Sequence, residues 1–92
     1  MAQSSTWEFD LYIVDGTLKA RFAYANLKKF CKEHLNGECM ITVYDLILNP
    51  KAASDNQITA NPTTILRRPL PERTLIGDLS NTESIILKLG LK

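Results

Sequence analysis

Residues 8–14 read Glu-Phe-Asp-Leu-Tyr-Ile-Val, an alternating and then continuously apolar run that predicts a buried β-strand. An Asp15-Gly16 turn signal follows it. From residue 18 to residue 35, apolar side chains recur mostly every three or four positions with lysines between them, which predicts a long amphipathic helix. Asn36-Gly37 then stands where a helix C-terminal cap would stand. The first third of the chain is therefore a strand followed by a helix.

A second strand and a short helix come next. Residues 39–48 contain Met40-Ile41-Thr42-Val43-Tyr44, a dense set of strand formers before Asp45. Pro50 suits the first turn of a helix, so residues 50–60 are predicted to form a short polar helix. Asn61-Pro62 must end it, because the residue before a proline is pushed to extended dihedrals.

The last third predicts a hairpin and a final helix. Residues 63–68 and 73–76 form two strands joined by Pro69-Leu70-Pro71-Glu72, and Ser80 with Glu83 is a capping-box pattern for a helix that ends at Gly90. The first two strands should pair in parallel through a right-handed crossover, and the hairpin is antiparallel. The βαβαββα order therefore predicts an α/β fold with a four-stranded mixed sheet, which is a thioredoxin-like layout.

Length and charge limit the function classes. The 92 residues, of which 45% are hydrophobic, suit one domain over residues 1–92, with residues 1–6 expected to be disordered. A net charge of +1 gives no field that would gather nucleic acid. The longest apolar run is far too short to span a membrane and the first residues do not resemble a signal peptide, so we expect a cytoplasmic protein without a membrane partner.

Catalytic patterns are missing where the layout would place them. Thioredoxin-like redox chemistry belongs between the first strand and the first helix, but residues 14–19 contain no cysteine. Cys31 falls within the apolar face of the helix and Cys39 begins a strand, so both are expected to be reduced. His34, the one histidine, suits a helix C-terminus, and no metal cluster or phosphate-binding loop is present in the sequence. We therefore expect neither enzymatic activity nor a cofactor.

The second half carries prolines and arginines whose roles stay open at this point. Asn61-Pro62 stands where thioredoxin-like folds place a cis-proline, and an ordinary trans proline that ends a helix is the alternative. Arg67, Arg68 and Arg73 are predicted to form the main basic patch of this half, and a solvated hairpin edge is the alternative.

Several motifs together resemble a known family. They are Leu11-Tyr12-Ile13, Asp45 followed by Asn49-Pro50, Ile58-x-Ala60-x-Pro62-Thr63 and, above all, Pro69-x-Pro71-x-Arg73-x-x-Ile76-Gly77-Asp78-Leu79-Ser80. From residue 9 to residue 87, without a gap, the chain resembles the KaiB family of small circadian-clock proteins.

The resemblance implies a non-enzymatic protein that binds a KaiC-type RecA-like ATPase and kinase and modulates its phosphorylation cycle. It places the chain in a circadian clock or in clock-derived stress signalling, near the pathway of a clock histidine kinase. It also implies two folds, a βαββααβ ground state that rebuilds the second half and forms homodimers or homotetramers, and a thioredoxin-like monomer that binds the ATPase. The candidate residues for partner binding or fold switching are Pro62, Arg67, Arg68, Pro69, Pro71, Arg73, Gly77 and Asp78.

An expected exposure of Tyr12, Tyr44 and Leu70 also favours an oligomer. Two other functions fit the same residues: a thioredoxin-fold thiol oxidoreductase, and a structural oligomer without an ATPase partner.

Overall fold

A computed structural model describes residues 6–91. The expectation of disorder at the N-terminus concerns residues 1–6, of which only Thr6 lies within the described residues. The elements follow the predicted βαβαββα order. They are β1 (Trp7–Ile13), α1 (Leu18–His34), β2 (Cys39–Asp45), α2 (Pro50–Asp55), β3 (Thr63–Arg68), β4 (Arg73–Ile76) and α3 (Thr82–Lys88).

The four strands form one mixed sheet in the order β2-β1-β3-β4. Strand β1 pairs in parallel with β2 and antiparallel with β3, and β3 pairs antiparallel with β4, as predicted. Phe9 lies opposite Ile41 on one side and Leu66 on the other. Because side chains alternate along a strand, Phe9 and Leu11 share one face of the sheet while Asp10 and Tyr12 share the other.

Helices α1 and α3 cover the first of these faces. Leu27 and Phe30 of α1 and Ile85 of α3 pack with Phe9 and Leu66 in one buried cluster. A smaller cluster continues it from Leu11 and Ile13 to Ala20 and Ala23. The main hydrophobic core therefore lies between the sheet and these two helices.

Helix α2 lies on the opposite face, beside Tyr12 and Tyr44, whose rings stack with centroids 5.0 Å apart. Tyr12 is only 1% exposed, so the expectation that it is exposed is wrong. The Tyr44 ring and its other neighbours on this face of the sheet cover it. Helix α2 is also shorter than the predicted 50–60 because it buries no residue, and Gln57 at a φ of 56° turns the chain away.

The C-terminus of α1 follows the prediction from the sequence, and the N-terminus of α3 does not. Helix α1 ends at His34, and Asn36 and Gly37 take positive φ, as the predicted cap requires. The prediction of a capping box at Ser80 is wrong. Asn81 caps α3 instead by accepting a bond from the Ser84 N–H, while the Ser80 N–H donates to Asp78.

The expectation of two reduced cysteines is also wrong, since Cys31 and Cys39 form a disulfide. The cap after α1 returns the chain so that β2 begins beside the last turns of the helix, and the two Cα atoms lie 6.2 Å apart, an ordinary spacing for a disulfide. Spacing along the sequence does not show this contact, because the turn creates it. Within residues 6–91, none of the helices has the length and apolarity to cross a membrane.

Candidate functional site

Arg67, on the α2 side of β3, joins four parts of the fold. Its Nε donates to Asp10 Oδ2 at 2.8 Å, and its Nη2 donates to Tyr12 Oη and to Asn56 Oδ1, each at 2.8 Å. Its Nη1 donates to Glu72 Oε2 at 3.2 Å. We name these five residues the Arg67 cluster. It connects β1, β3, the end of α2 and the turn between β3 and β4.

The centre of the Arg67 cluster is largely shielded from water, while Glu72 at its edge is exposed. The side chains of Arg67 and Asp10 are 25% and 19% exposed. Burial by itself would lower the pKa of Arg67, but the bonds to Asp10 and Tyr12 outweigh it and the pKa is raised. Burial raises the pKa of Tyr12. Arg67 is therefore a permanent cation, and most of its donors are already used within the protein.

A groove of about 480 Å³ runs beside the Arg67 cluster, between Tyr44 and helix α2. Because Arg67 donates into its own cluster, the groove offers no free guanidinium fork for an anionic ligand. From the sequence Tyr12 is expected to be exposed, and no role is assigned to Asp10. Their alternation with Phe9 and Leu11 was the signal that they share the opposite face.

The three arginines do not form one basic patch, so that prediction is wrong. Arg73 pairs with Leu66, on the face of the sheet opposite to Arg67. Its Nη1 donates to the Lys88 carbonyl at 3.1 Å, which caps the C-terminus of α3 with a positive charge. Arg68 is exposed at the end of β3. Strand alternation therefore separates residues that are close in sequence.

The prolines take two different environments. Pro62 is buried and follows a cis peptide bond, so the cis alternative at Asn61-Pro62 is confirmed. Its carbonyl accepts the Gly77 N–H at 2.9 Å, which continues the pairing between β3 and β4 by one bond. Pro69 and Pro71 also follow cis bonds, and both are exposed in the turn between the two strands.

Gly77 and Asp78 begin the loop between β4 and α3. Gly77 has a φ of 104°, which favours glycine. Asp78 Oδ1 accepts the Ser80 N–H at 3.0 Å, and hydrogen bonding by Ser80 lowers the pKa of Asp78, with a smaller contribution from Lys19. The Asn26 side chain donates to the Asp78 carbonyl at 2.8 Å. Helix α1 thus holds this loop in place.

Asn26 shares a stripe of α1 with Leu18 and Phe22, since the three residues are four positions apart. Leu18 is 64% exposed and Phe22 is 52% exposed. We name Leu18, Lys19, Phe22, Asn26 and residues 77–79 the α1–loop surface. Leu18 and Phe22 belong to the apolar repeat of residues 18–35, but the buried face of α1 is formed by other members of that repeat, among them Ala20, Ala23 and Leu27.

The junction between β1 and α1 is a cap and offers no thiol nucleophile. Thr17 Oγ1 donates to the Val14 carbonyl at 2.8 Å and accepts the Ala20 N–H at 3.2 Å. The cysteine pair lies at the other end of α1. Across the part of the chain that the structure describes, no group of three His, Cys, Asp or Glu side chains could hold a metal ion.

Comparison with solved structures confirms the thioredoxin-like fold. The N-terminal domain of Synechococcus elongatus SasA matches 100% of this chain and 90% of its own at a TM-score of 0.76 and 14% identity. Mitochondrial thioredoxin 3 from Saccharomyces cerevisiae matches 97% of this chain and 81% of its own at a TM-score of 0.70 and 14% identity. At such low identities the likeness is one of fold alone.

Comparison of sequences identifies the family. The KaiB domain matches residues 10–91. The circadian clock protein KaiB3 of Synechocystis sp. is 33% identical over 81 residues, which cover 88% of this chain and 79% of that protein. The circadian clock oscillator protein KaiB of Synechococcus elongatus is 33% identical over 91 residues, 99% of this chain and 89% of that protein. Because the KaiB domain matches residues 10–91 of the chain and a third of the aligned positions are identical in these clock proteins, the chain belongs to the KaiB family.

Proposed function

We propose that this chain is a non-enzymatic regulatory protein of the cytoplasm that binds a KaiC-type RecA-like ATPase and modulates its phosphorylation cycle. It would act in a circadian clock or in clock-derived stress signalling, in a pathway that includes a clock histidine kinase. The observation that carries the proposal is that a KaiB-family chain has the thioredoxin-like arrangement, which the family resemblance assigns to the ATPase-binding form.

The contact for this partner is proposed to be the α1–loop surface. Leu18 and Phe22 present apolar area that the core does not use. The bond from Asn26 to the Asp78 carbonyl holds the adjoining loop before any partner arrives. Exposed aromatic residues on a rigid support are typical centres of protein–protein interfaces, because little conformational entropy is lost on binding. Lys19 and Asp78 would add charge selectivity at the rim.

The proposal is tested by binding to the KaiC-type ATPase of the same genome, after long incubation with ATP, with complex mass measured by light scattering on a sizing column. We expect Phe22→Ser to weaken binding about 10-fold or more, the usual loss at an interface centre. Tyr24→Ser is the matched control, because Tyr24 is an exposed aromatic residue of the same helix that lies beside Val43 instead. If the unmodified protein forms no complex, the proposed function is refuted. Equal losses of binding in both variants would refute the α1–loop surface as the contact.

The positions of the two cysteines support the proposed absence of enzymatic activity. Cys31 lies near the C-terminus of α1, where the negative end of the helix dipole disfavours a thiolate, whereas thioredoxin-type catalysis uses a helix N-terminus. An insulin-reduction assay on the unmodified protein, Cys31→Ser and Cys39→Ser should show no thiol-dependent turnover. Turnover lost in either variant would establish the thiol oxidoreductase alternative.

A further inference from the structure

The disulfide spans the turn that leads from α1 into β2. The Cys31 carbonyl accepts the N–H groups of Leu35, at 3.0 Å, and Gly37, at 2.8 Å, so its backbone already closes this turn. Cys31 as a whole residue is 4% exposed and belongs to the main core cluster. Cys39, the first residue of β2, is partly exposed. The covalent bond therefore joins a buried helical residue to the start of a strand.

Strand β2 depends on this connection because it lies at the edge of the sheet. Its backbone pairs with β1 alone, from Trp7↔Cys39 to Ile13↔Asp45. The bond from the Trp7 N–H to the Glu38 carbonyl, 2.9 Å, precedes the first of these pairs. An edge strand opens more readily than a central one, and a cross-link at its first residue restrains that opening. A cross-link also removes conformations from the unfolded chain.

A groove of about 350 Å³ gives access to the disulfide from solvent. It is lined by both cysteines and by Lys28, Lys29 and Lys32, which are all exposed. Lys28 lies over the Tyr24 ring, which leaves Lys29 and Lys32 as the freer charges of the groove. A cluster of positive charge beside a disulfide raises the local concentration of a small anion. Because Cys39 is the less buried cysteine, its sulfur is the one that an incoming thiolate reaches.

We propose that Cys31 and Cys39 form a reversible thiol–disulfide switch that is exchanged through this groove by small anionic thiols of the glutathione class. A glutathione thiolate attacks Cys39 Sγ, the Cys31–Cys39 bond breaks, and the Cys31 sulfur takes a proton from water as it leaves, because the C-terminus of α1 disfavours a lasting thiolate. A second glutathione thiolate attacks the glutathione sulfur of the mixed disulfide. Glutathione disulfide departs, and Cys39 is released and protonated. Two glutathiones are oxidised as the protein disulfide is reduced, and excess glutathione disulfide reverses both steps.

The stability test compares the oxidised and reduced forms of the intact chain. Mass spectrometry after alkylation assigns the state of each thiol, and thermal unfolding gives Tm. We expect reduction to lower Tm by about 10 °C or more and to speed amide hydrogen exchange in β2 more than in β3. The double variant Cys31→Ala, Cys39→Ala should have the same Tm under oxidising and reducing conditions. The oxidised and reduced forms of the unmodified chain show the effect of the disulfide without any substitution. Equal Tm values for both forms, or free thiols in the presence of excess glutathione disulfide, would overturn the proposal.

The access test compares two reductants of different charge. Lys29→Gln together with Lys32→Gln should slow reduction by glutathione several-fold, since the attraction of its negative charge is lost, and added salt should reduce the difference. Reduction by neutral 2-mercaptoethanol should keep its rate. Lys51→Gln, on α2 at the opposite face of the sheet, is the matched control and should change neither rate. Equal slowing of both reductants, or none of either, would contradict the lysine-lined entry.

Discussion

Replacing Arg67 by methionine tests whether the Arg67 cluster holds the second half of the chain in the observed arrangement. Methionine keeps much of the apolar stem and removes the four hydrogen bonds to Asp10, Tyr12, Asn56 and Glu72. The bonds to Asn56 and Glu72 link β3 to the end of α2 and to the hairpin turn, and the other two link β3 to β1. We therefore expect a loss of global stability and earlier opening of α2.

The magnitude follows from burial. A hydrogen bond to a charged group contributes about 1.5–3 kcal/mol, and breaking a fully buried ion pair costs about 3–5 kcal/mol. Arg67 is 25% exposed, so the loss should lie below the fully buried limit, and the contact with Glu72, 53% exposed, adds little. We expect the free energy of unfolding to fall by about 2–3 kcal/mol, which corresponds to about 10–20 °C in Tm for a domain of this size.

Urea unfolding followed by circular dichroism measures this loss, and hydrogen exchange reports residues 50–57. Arg68→Met is the matched control, because Arg68 is exposed and should change stability by less than about 0.5 kcal/mol. Asp10→Asn combined with Arg67→Met should cost less than the sum of the two single changes, since both remove one interaction. If Arg67→Met unfolds like the unmodified protein, or if Arg68→Met lowers stability as much, the Arg67 cluster does not hold the second half of the chain in place.

Three further predictions concern other parts of the molecule. Gly77→Ala should destabilise the thioredoxin-like fold by about 1 kcal/mol or more, because the φ of 104° at Gly77 disfavours alanine even though an added Cβ would meet no neighbour. Two-dimensional amide NMR should show two sets of peaks for residues 63–89 and one set for residues 8–44, and Gly77→Ala should change the populations of the two sets. A single set of peaks that the substitution does not change would mean that this chain keeps one fold. Burial raises the pKa of Tyr12 above its ordinary 10.0, so the folded state favours the neutral phenol. The free energy of unfolding should therefore be insensitive to Tyr12 below that pH and should fall as the pH rises through the folded pKa. Tyr12→Phe should remove this alkaline loss of stability, and an unchanged dependence on pH would contradict the prediction. Light scattering at high micromolar concentration should give a dimer or tetramer, and a strict monomer of 10.4 kDa would contradict that expectation.

Local pattern predicted the elements and their order because most of them follow from hydrophobic period and turn residues. The run 8–14 formed a strand shifted by one residue, Trp7–Ile13, and the amphipathic helix and its Asn36-Gly37 cap formed as predicted. Helix α2 was overextended because it is polar and packs loosely, so its end depends on the turn at Gln57 and not on its own sequence. The cap of α3 moved by one residue because Asp78 captures the Ser80 N–H.

The candidate site was harder to predict because long-range contacts create it. Arg67 meets Asp10 across 57 positions and Asn26 meets Asp78 across 52, and neither pair leaves a local signal. The disulfide likewise depends on the turn after α1. Arg67, Arg68 and Arg73 looked like one patch because they are close in sequence, while the register of β3 and β4 places Arg67 and Arg73 on opposite faces of the sheet. The family resemblance supplied the partner class, which no single residue of the sequence indicates.

The proposed regulation of a KaiC-type ATPase by this chain is tested most directly by the phosphorylated fraction of that ATPase over time, with and without the chain. We predict that a stoichiometric amount of the protein changes the time course, that Phe22→Ser has a much smaller effect, and that Tyr24→Ser acts like the unmodified chain. Identical time courses with and without the protein, under conditions in which the ATPase phosphorylates itself, would contradict the claim.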